Sequence, residues 1–161
     1  MDVERLAFER DRDGEPADDI AAAVETMPKD EGSFALVAEQ DGEVVGHIQF
    51  SRAWVGDYPV VLLGPIGVRP DRQRNGIGSA LIHSGLAEAR ARGERAVILL
   101  GDPNFYSRFG FVAASRFGLR NPAAGVQANG FVVREEDFQI APLDSRADSL
   151  AGAVRWDPAL K

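Results

Sequence analysis

Six consecutive residues, Gln73-Arg74-Asn75-Gly76-Ile77-Gly78, carry the densest chemistry in this chain. They follow an apolar run, Val60 to Val68, and a basic turn, Arg69-Pro70-Asp71-Arg72, and they open an amphipathic stretch. A helix leaves its first backbone N–H groups without intrahelical partners, and its aligned peptide dipoles make that end positive. Glycine at such a place lets an anion reach the main chain, because no Cβ intervenes. The layout therefore suits the holding of a diphosphate by the amides of Gln73, Arg74, Asn75 and Gly76, with Arg74 adding a charge-assisted bond. Each such bond contributes on the order of 1.5–3 kcal/mol, so three or four suffice for a micromolar ligand. Two other phosphate motifs fail on required residues. A dinucleotide fingerprint needs a third glycine where Leu81 stands, and a triphosphate loop needs Gly-Lys-Ser/Thr, whereas Lys29 and Lys161 are the only lysines.

Preceded by Val68-x-Pro70, the same residues resemble the acyl-CoA signature of the GNAT N-acetyltransferase superfamily. That resemblance implies acetyl-CoA as co-substrate and no metal. It implies main-chain contacts to the CoA pyrophosphate from Gln73, Arg74, Asn75, Gly76, Ile77, Gly78 and Ser79. The pantetheine arm would pair with Ile66 and Val68, and the thioester oxygen would face N–H groups near Gly67 and Val68. A second segment, Asn104-Phe105-Tyr106-Ser107-Arg108-Phe109-Gly110-Phe111, is similar to the family's helix-then-strand region. It gives Tyr106 the part of general acid toward the departing thiolate, since a phenol with a pKa of ~10 stays protonated at neutral pH. The likeness runs from Phe34 to Phe111 and is loose beyond Ala114.

The implied activity is transfer of an acetyl group to a primary amine of a small molecule or a protein. The alternative is a GNAT-like module that binds acyl-CoA without transferring it. The base stays open. Val60 to Val68 contains no acid. His47, in mid-strand, carries an imidazole suited to proton transfer; Asp102 and a water relay are the other options. An acceptor pocket would draw on Ala17–Met27, on Arg52–Pro59 with Trp54 and Tyr58, and on residues after Ala114. Asp18, Asp19, Glu25, Asp30 and Glu31 would attract a cationic amine there.

These residues need a scaffold. Ile77 to Arg92 reads as a helix with Ile77, Leu81, Ile82, Leu86 and Ala89 on one apolar face and Gly93 as its stop. Ala96 to Leu100 is a buried strand, parallel to Val60–Val68 across that helix. Gly64, Pro65 and Gly67 predict an irregularity in the earlier strand. Phe34–Ala38 and Val44–Phe50 flank Asp41-Gly42, a tight-turn pair, and form a hairpin. Pro103–Phe109 reads as a short helix, and short strands are expected near Phe111–Ala114, Gly130–Arg134 and Leu150–Trp156. Val3–Phe8 and Ala17–Met27 read as helical, the latter from Ile20, Val24 and Met27, and Arg52–Pro59 reads as a loop.

The fold class is α/β. It is GNAT-like, with a mixed, mostly antiparallel central sheet, helices on both faces and the parallel pair splayed around the CoA site. One domain, residues 1–161, is expected, its first strand missing or short. A bare sheet edge there could be covered by a second copy, giving a homodimer.

Composition narrows the function. With 161 residues and 45% hydrophobic content, a substantial core can form. A net charge of −7 disfavours nucleic-acid partners. The absence of cysteine excludes thiol catalysis and disulfides, and two separated histidines give no metal spacing. No apolar run reaches the ~20 residues of a membrane span, and no signal peptide is evident, so the cytoplasm is the expected compartment.

Overall fold

The computed structural model describes residues 3–7 and 20–26 by their backbone path, and 32–73, 76–128 and 130–156 in full or nearly so. The chain forms two compact units, Met1–Ser51 with Leu63–Glu88, and Arg52–Leu62 with Ala89–Lys161.

The first unit begins with β1 (Val3–Ala7), antiparallel to β2 (Ile20–Thr26), which pairs in turn with β3 (Phe34–Gln40). Both stretches were expected to be helical, and both are strands. The Ile20, Val24 spacing that suggested a helix coexists with a two-residue alternation of Ile20, Ala22, Val24 and Thr26. Pairing with β1 on one side and β3 on the other gives its backbone groups ladder partners, whereas so short a helix is marginal alone. Phe8 and Met27 lie outside the described residues.

The hairpin between β3 and β4 (Glu43–Val55) forms where Asp41-Gly42 predicts it. Both turn residues have positive φ, 54° and 78°. That is the sense of turn that matches the right-handed twist of paired strands. β5 (Tyr58–Val68) follows, and α1 (Ile77–Ala91) packs on one face of β4. Ile77, Leu81, Ile82, Leu86 and Ala89 are all buried, as the apolar stripe requires.

Two glycines set the approach of α1. A Cβ on Gly46 would lie 3.2 Å from Ile77 Cγ2 and from Leu81 Cδ1, and a Cβ on Gly85 would overlap the Phe50 ring. That ring is itself stacked on Phe34 at 4.7 Å. Gly85→Ala is therefore expected to destabilise by about 1–3 kcal/mol, the usual cost of overpacking, in spite of alanine's better helix propensity. Denaturant melts would measure it, and a loss under about 0.5 kcal/mol would show that the ring can move aside.

In the second unit the expected loop Arg52–Pro59 is the end of β4, a two-residue turn at Gly56-Asp57, and the start of β5. Arg155 stacks over Trp54 at 4.7 Å and Arg95 over Tyr58 at 5.1 Å. β6 (Ala96–Leu100) runs parallel to β5, in register at Val61↔Val97 and Leu62↔Ile98. Next come α2 (Pro103–Tyr106), a 3-10 turn at Ser107–Phe109, β7 (Val112–Ala113), and a hairpin of β8 (Gln127–Ala128) with β9 (Phe131–Val132). β10 (Phe138–Pro142) lies antiparallel between β6 and β7, and β11 (Val154–Trp156) pairs with the end of β4. Val60, Leu62, Ile98, Leu119, Phe138, Ile140 and Leu150 form this unit's core. At its margin buried Glu94 accepts from Arg52 at 2.5 Å, and Arg52 also donates to the Val60 carbonyl.

Candidate functional site

β5 ends at Val68, and Pro70–Arg72 forms a single 3-10 turn before Gly76 starts α1. Gly76 has a φ of 78°, a conformation that side chains strain. Its carbonyl accepts the first helical bond, from the Ala80 amide at 3.0 Å. The amides of Ile77, Gly78 and Ser79 therefore form the helix end without intrahelical acceptors. Gly78 is the informative glycine. Among the described residues, a Cβ built on it would touch only Val68 Cγ2, at 3.8 Å, an ordinary contact. Packing against the described residues does not demand a glycine there, whereas an anion seated on those amides would. Arg74 and Asn75 lie outside the described residues.

The basic turn is less free than its composition suggests. Arg69 donates to Glu43 at 3.1 Å and to Asp71 at 3.0 Å. The bond to Glu43, followed by the nearby Asp71 charge, holds its guanidinium above the ordinary arginine pKa. Arg72 donates to Gln40 at 3.1 Å, and Gln73 donates through its side chain to the Val68 carbonyl at 3.2 Å. Arg69 is thus neutralised by two carboxylates, whereas Arg72 keeps its charge beside a neutral amide.

The backbone of β5 alternates in direction. The Arg69 amide donates to the Val45 carbonyl at 2.8 Å, and a Cβ on Gly46 would lie 3.2 Å from the Gly67 carbonyl. Gly67 therefore turns its main-chain groups toward β4. Ile66 and Val68, of opposite parity, turn theirs away from it. What Gly67 contributes is room: a Cβ on it would lie 3.0 Å from Cε1 of His47.

Tyr106, in the second unit, ends α2. Its ring packs edge-on against Phe105 at 4.9 Å and Phe111 at 5.9 Å. A Cβ on Gly101 would come 2.5 Å from the ring, so this glycine, which composition did not single out, makes space for the tyrosine. The hydroxyl has no hydrogen-bond partner among the described residues. Partial burial pushes this phenol's pKa up.

Asp102 is engaged in structure, since its carboxylate caps α2 by accepting from the Asn104 amide at 2.9 Å. Of the expected acceptor-attracting acids, Asp18, Asp19, Asp30 and Glu31 lie outside the described residues, as does the Glu25 side chain. A shallow hollow in the second unit is lined by Ser115, Gly118, Leu119, Arg120 and Glu135 and includes none of the residues above. Among the described residues no group of three or more potential metal ligands occurs, and no helix is long and apolar enough to cross a membrane.

Comparison with known proteins identifies the family of this fold. The model of the acetyltransferase (GNAT) family matches residues 2–111. The uncharacterized N-acetyltransferase YhbS of Escherichia coli is 33% identical over 158 residues, 94% of this chain and 85% of that protein. The uncharacterized N-acetyltransferase YjhQ of the same organism is 36% identical over 98 residues, and the match spans about half of its length, 54%. The crystal structure of E. coli YhbS in complex with CoA has a TM-score of 0.66 at 32% identity, covering 77% of this chain and 67% of that one. A GNAT family acetyltransferase from Brucella melitensis in complex with acetyl-CoA has a TM-score of 0.60 at 36% identity, covering 80% and 68%. These neighbours bear out the mixed α/β GNAT fold expected from the sequence. By a match over more than half of its residues and by the fold it shares with both complexes, the chain belongs to the acetyltransferase (GNAT) family.

Proposed function

We propose that the protein moves an acetyl group from acetyl-CoA to a primary amine of a small molecule or a protein, without a metal. One observation carries this reading: the Cα of Gly78 is bare, at the start of α1, where no described residue crowds the place of the missing side chain. Relatives solved with CoA and acetyl-CoA support it. In this reading Gln73, Arg74, Asn75, Gly76, Ile77, Gly78 and Ser79 hold the diphosphate. Ile66 and Val68, whose main-chain groups face away from β4, pair with the pantetheine arm. The Val68 amide takes the thioester oxygen as it gains charge, beside the space left by Gly67. Tyr106 gives its proton to the departing thiolate. Its raised pKa keeps it protonated across the neutral range.

Acetyl-CoA at a hundredfold excess over its dissociation constant is expected to stabilise the protein by about 2.7 kcal/mol. That corresponds to a rise in Tm of roughly 5–10 °C for a chain of this size. An unchanged Tm at millimolar acetyl-CoA would refute the reading. Steady release of free thiol in the presence of amines would exclude a module that only binds.

A further inference from the structure

The pairing of β4 with β5 sets an imidazole over Gly67. Gly46 faces α1, toward Ile77 and Leu81. His47, the next residue of an extended strand, points to the opposite face. It is exposed there, and its ring lies over Gly67, with Cε1 at 3.0 Å, Nδ1 at 3.5 Å and Nε2 at 3.9 Å from the position a Cβ would take. Gly67 adjoins Val68, the residue whose amide faces away from β4. Any side chain at position 67 would push the imidazole off that spot. Asp102, the other candidate side chain, already caps a helix.

We propose that His47 is the general base of the transfer, taking a proton from the acceptor amine on the face of the sheet opposite α1. This inference rests on the acetyl-CoA reading above. The amine nitrogen forms a bond to the acetyl carbon, and the carbon–sulfur bond breaks. One proton passes from that nitrogen to the His47 imidazole. The thiolate takes a proton from Tyr106, and solvent returns the His47 proton to the phenolate, so the products are an amide and CoA thiol. Few charges compete for the imidazole. Val37 stands opposite on β3, whose charged residue is Glu39. β4 itself carries Glu43 and Arg52, and β5 offers Arg69, paired with Glu43 and Asp71.

The test has two arms. In the first, acetyl-CoA binding and amine-dependent thiol release are measured across pH for wild type and His47→Gln, with spermidine, tyramine and a lysine-containing peptide as acceptors. His47→Gln is expected to keep the wild-type acetyl-CoA affinity within about twofold and to lose turnover by around 10²-fold. Full turnover in His47→Gln would overturn the proposal. In the second arm the only two histidines give two imidazole Cε1–H resonances, and His83→Gln assigns them even if His47→Gln fails to fold. Acetyl-CoA should shift the His47 resonance and leave that of His83 in place. A His47 signal unmoved at saturating acetyl-CoA would overturn the proposal even if none of the amines is turned over. Failure of acetyl-CoA to bind wild type would instead refute the underlying reading.

Discussion

Gly78→Leu is expected to cost acetyl-CoA affinity on the order of 10²–10⁴-fold while leaving the unliganded protein as stable as wild type, or more so. The two halves of this result have separate causes. Among the described residues, a side chain at position 78 has space, since its Cβ meets only Val68 Cγ2 at 3.8 Å. Leucine also has a better helix propensity than glycine, by somewhat under ~1 kcal/mol. Toward the ligand, the same side chain fills the approach to the Ile77, Gly78 and Ser79 amides. Loss of two charge-assisted bonds at about 1.5–3 kcal/mol each gives the stated range. Calorimetric titration beside a melt of the free protein checks both halves. Unchanged affinity would mean that the ligand sits elsewhere, and a collapsed Tm would mean that Gly78 is a packing residue after all.

Tyr106→Phe is expected to lower turnover by about 10²–10⁴-fold, the usual contribution of a general acid, and to leave acetyl-CoA affinity alone. The substitution removes only the hydroxyl, which has no partner among the described residues. The ring keeps its edge contacts with Phe105 and Phe111, so the fold has little reason to respond. The pH dependence has a definite sign. An acid acts while protonated, so activity falls as pH rises through its pKa. Burial raises that pKa, and the falling limb due to Tyr106 should therefore lie above the ordinary tyrosine value of 10.0. A wild-type rate in the phenylalanine variant would reduce Tyr106 to a packing role.

The parts of this molecule that were legible in its sequence are those governed by local rules. Ile77, Leu81, Ile82, Leu86 and Ala89 recur at helical spacing, and all five are buried. Asp41-Gly42 fixes its hairpin because few other residues accept two positive φ angles in succession. The turn ahead of α1 could be recognised because its proposed task depends on glycines and main-chain amides. What stayed hidden depends on pairing at a distance. The Ile20–Thr26 run fits either period, and only a partner strand decides between them. β10 went unseen because Gln139 interrupts its apolar run. That buried amide is satisfied by the Gly101 carbonyl at 3.0 Å, a partner 38 positions away. The position of His47 over Gly67 is likewise a matter of register, and neither residue announces it alone.

β7 and β10 are neighbours in the sheet, although residues 114–137 intervene between them. That excursion is fastened at its base by Asn121, whose side chain accepts from the Ala123 amide and donates to the Arg134 carbonyl, and whose own amide donates to the Glu135 carboxylate. Its tip carries Phe131, 76% exposed. Closed at both ends in this way, the segment begins just beyond the stretch, residues 2–111, that the family model recognises. An insertion at its tip should therefore leave the pairing of β7 with β10 in place.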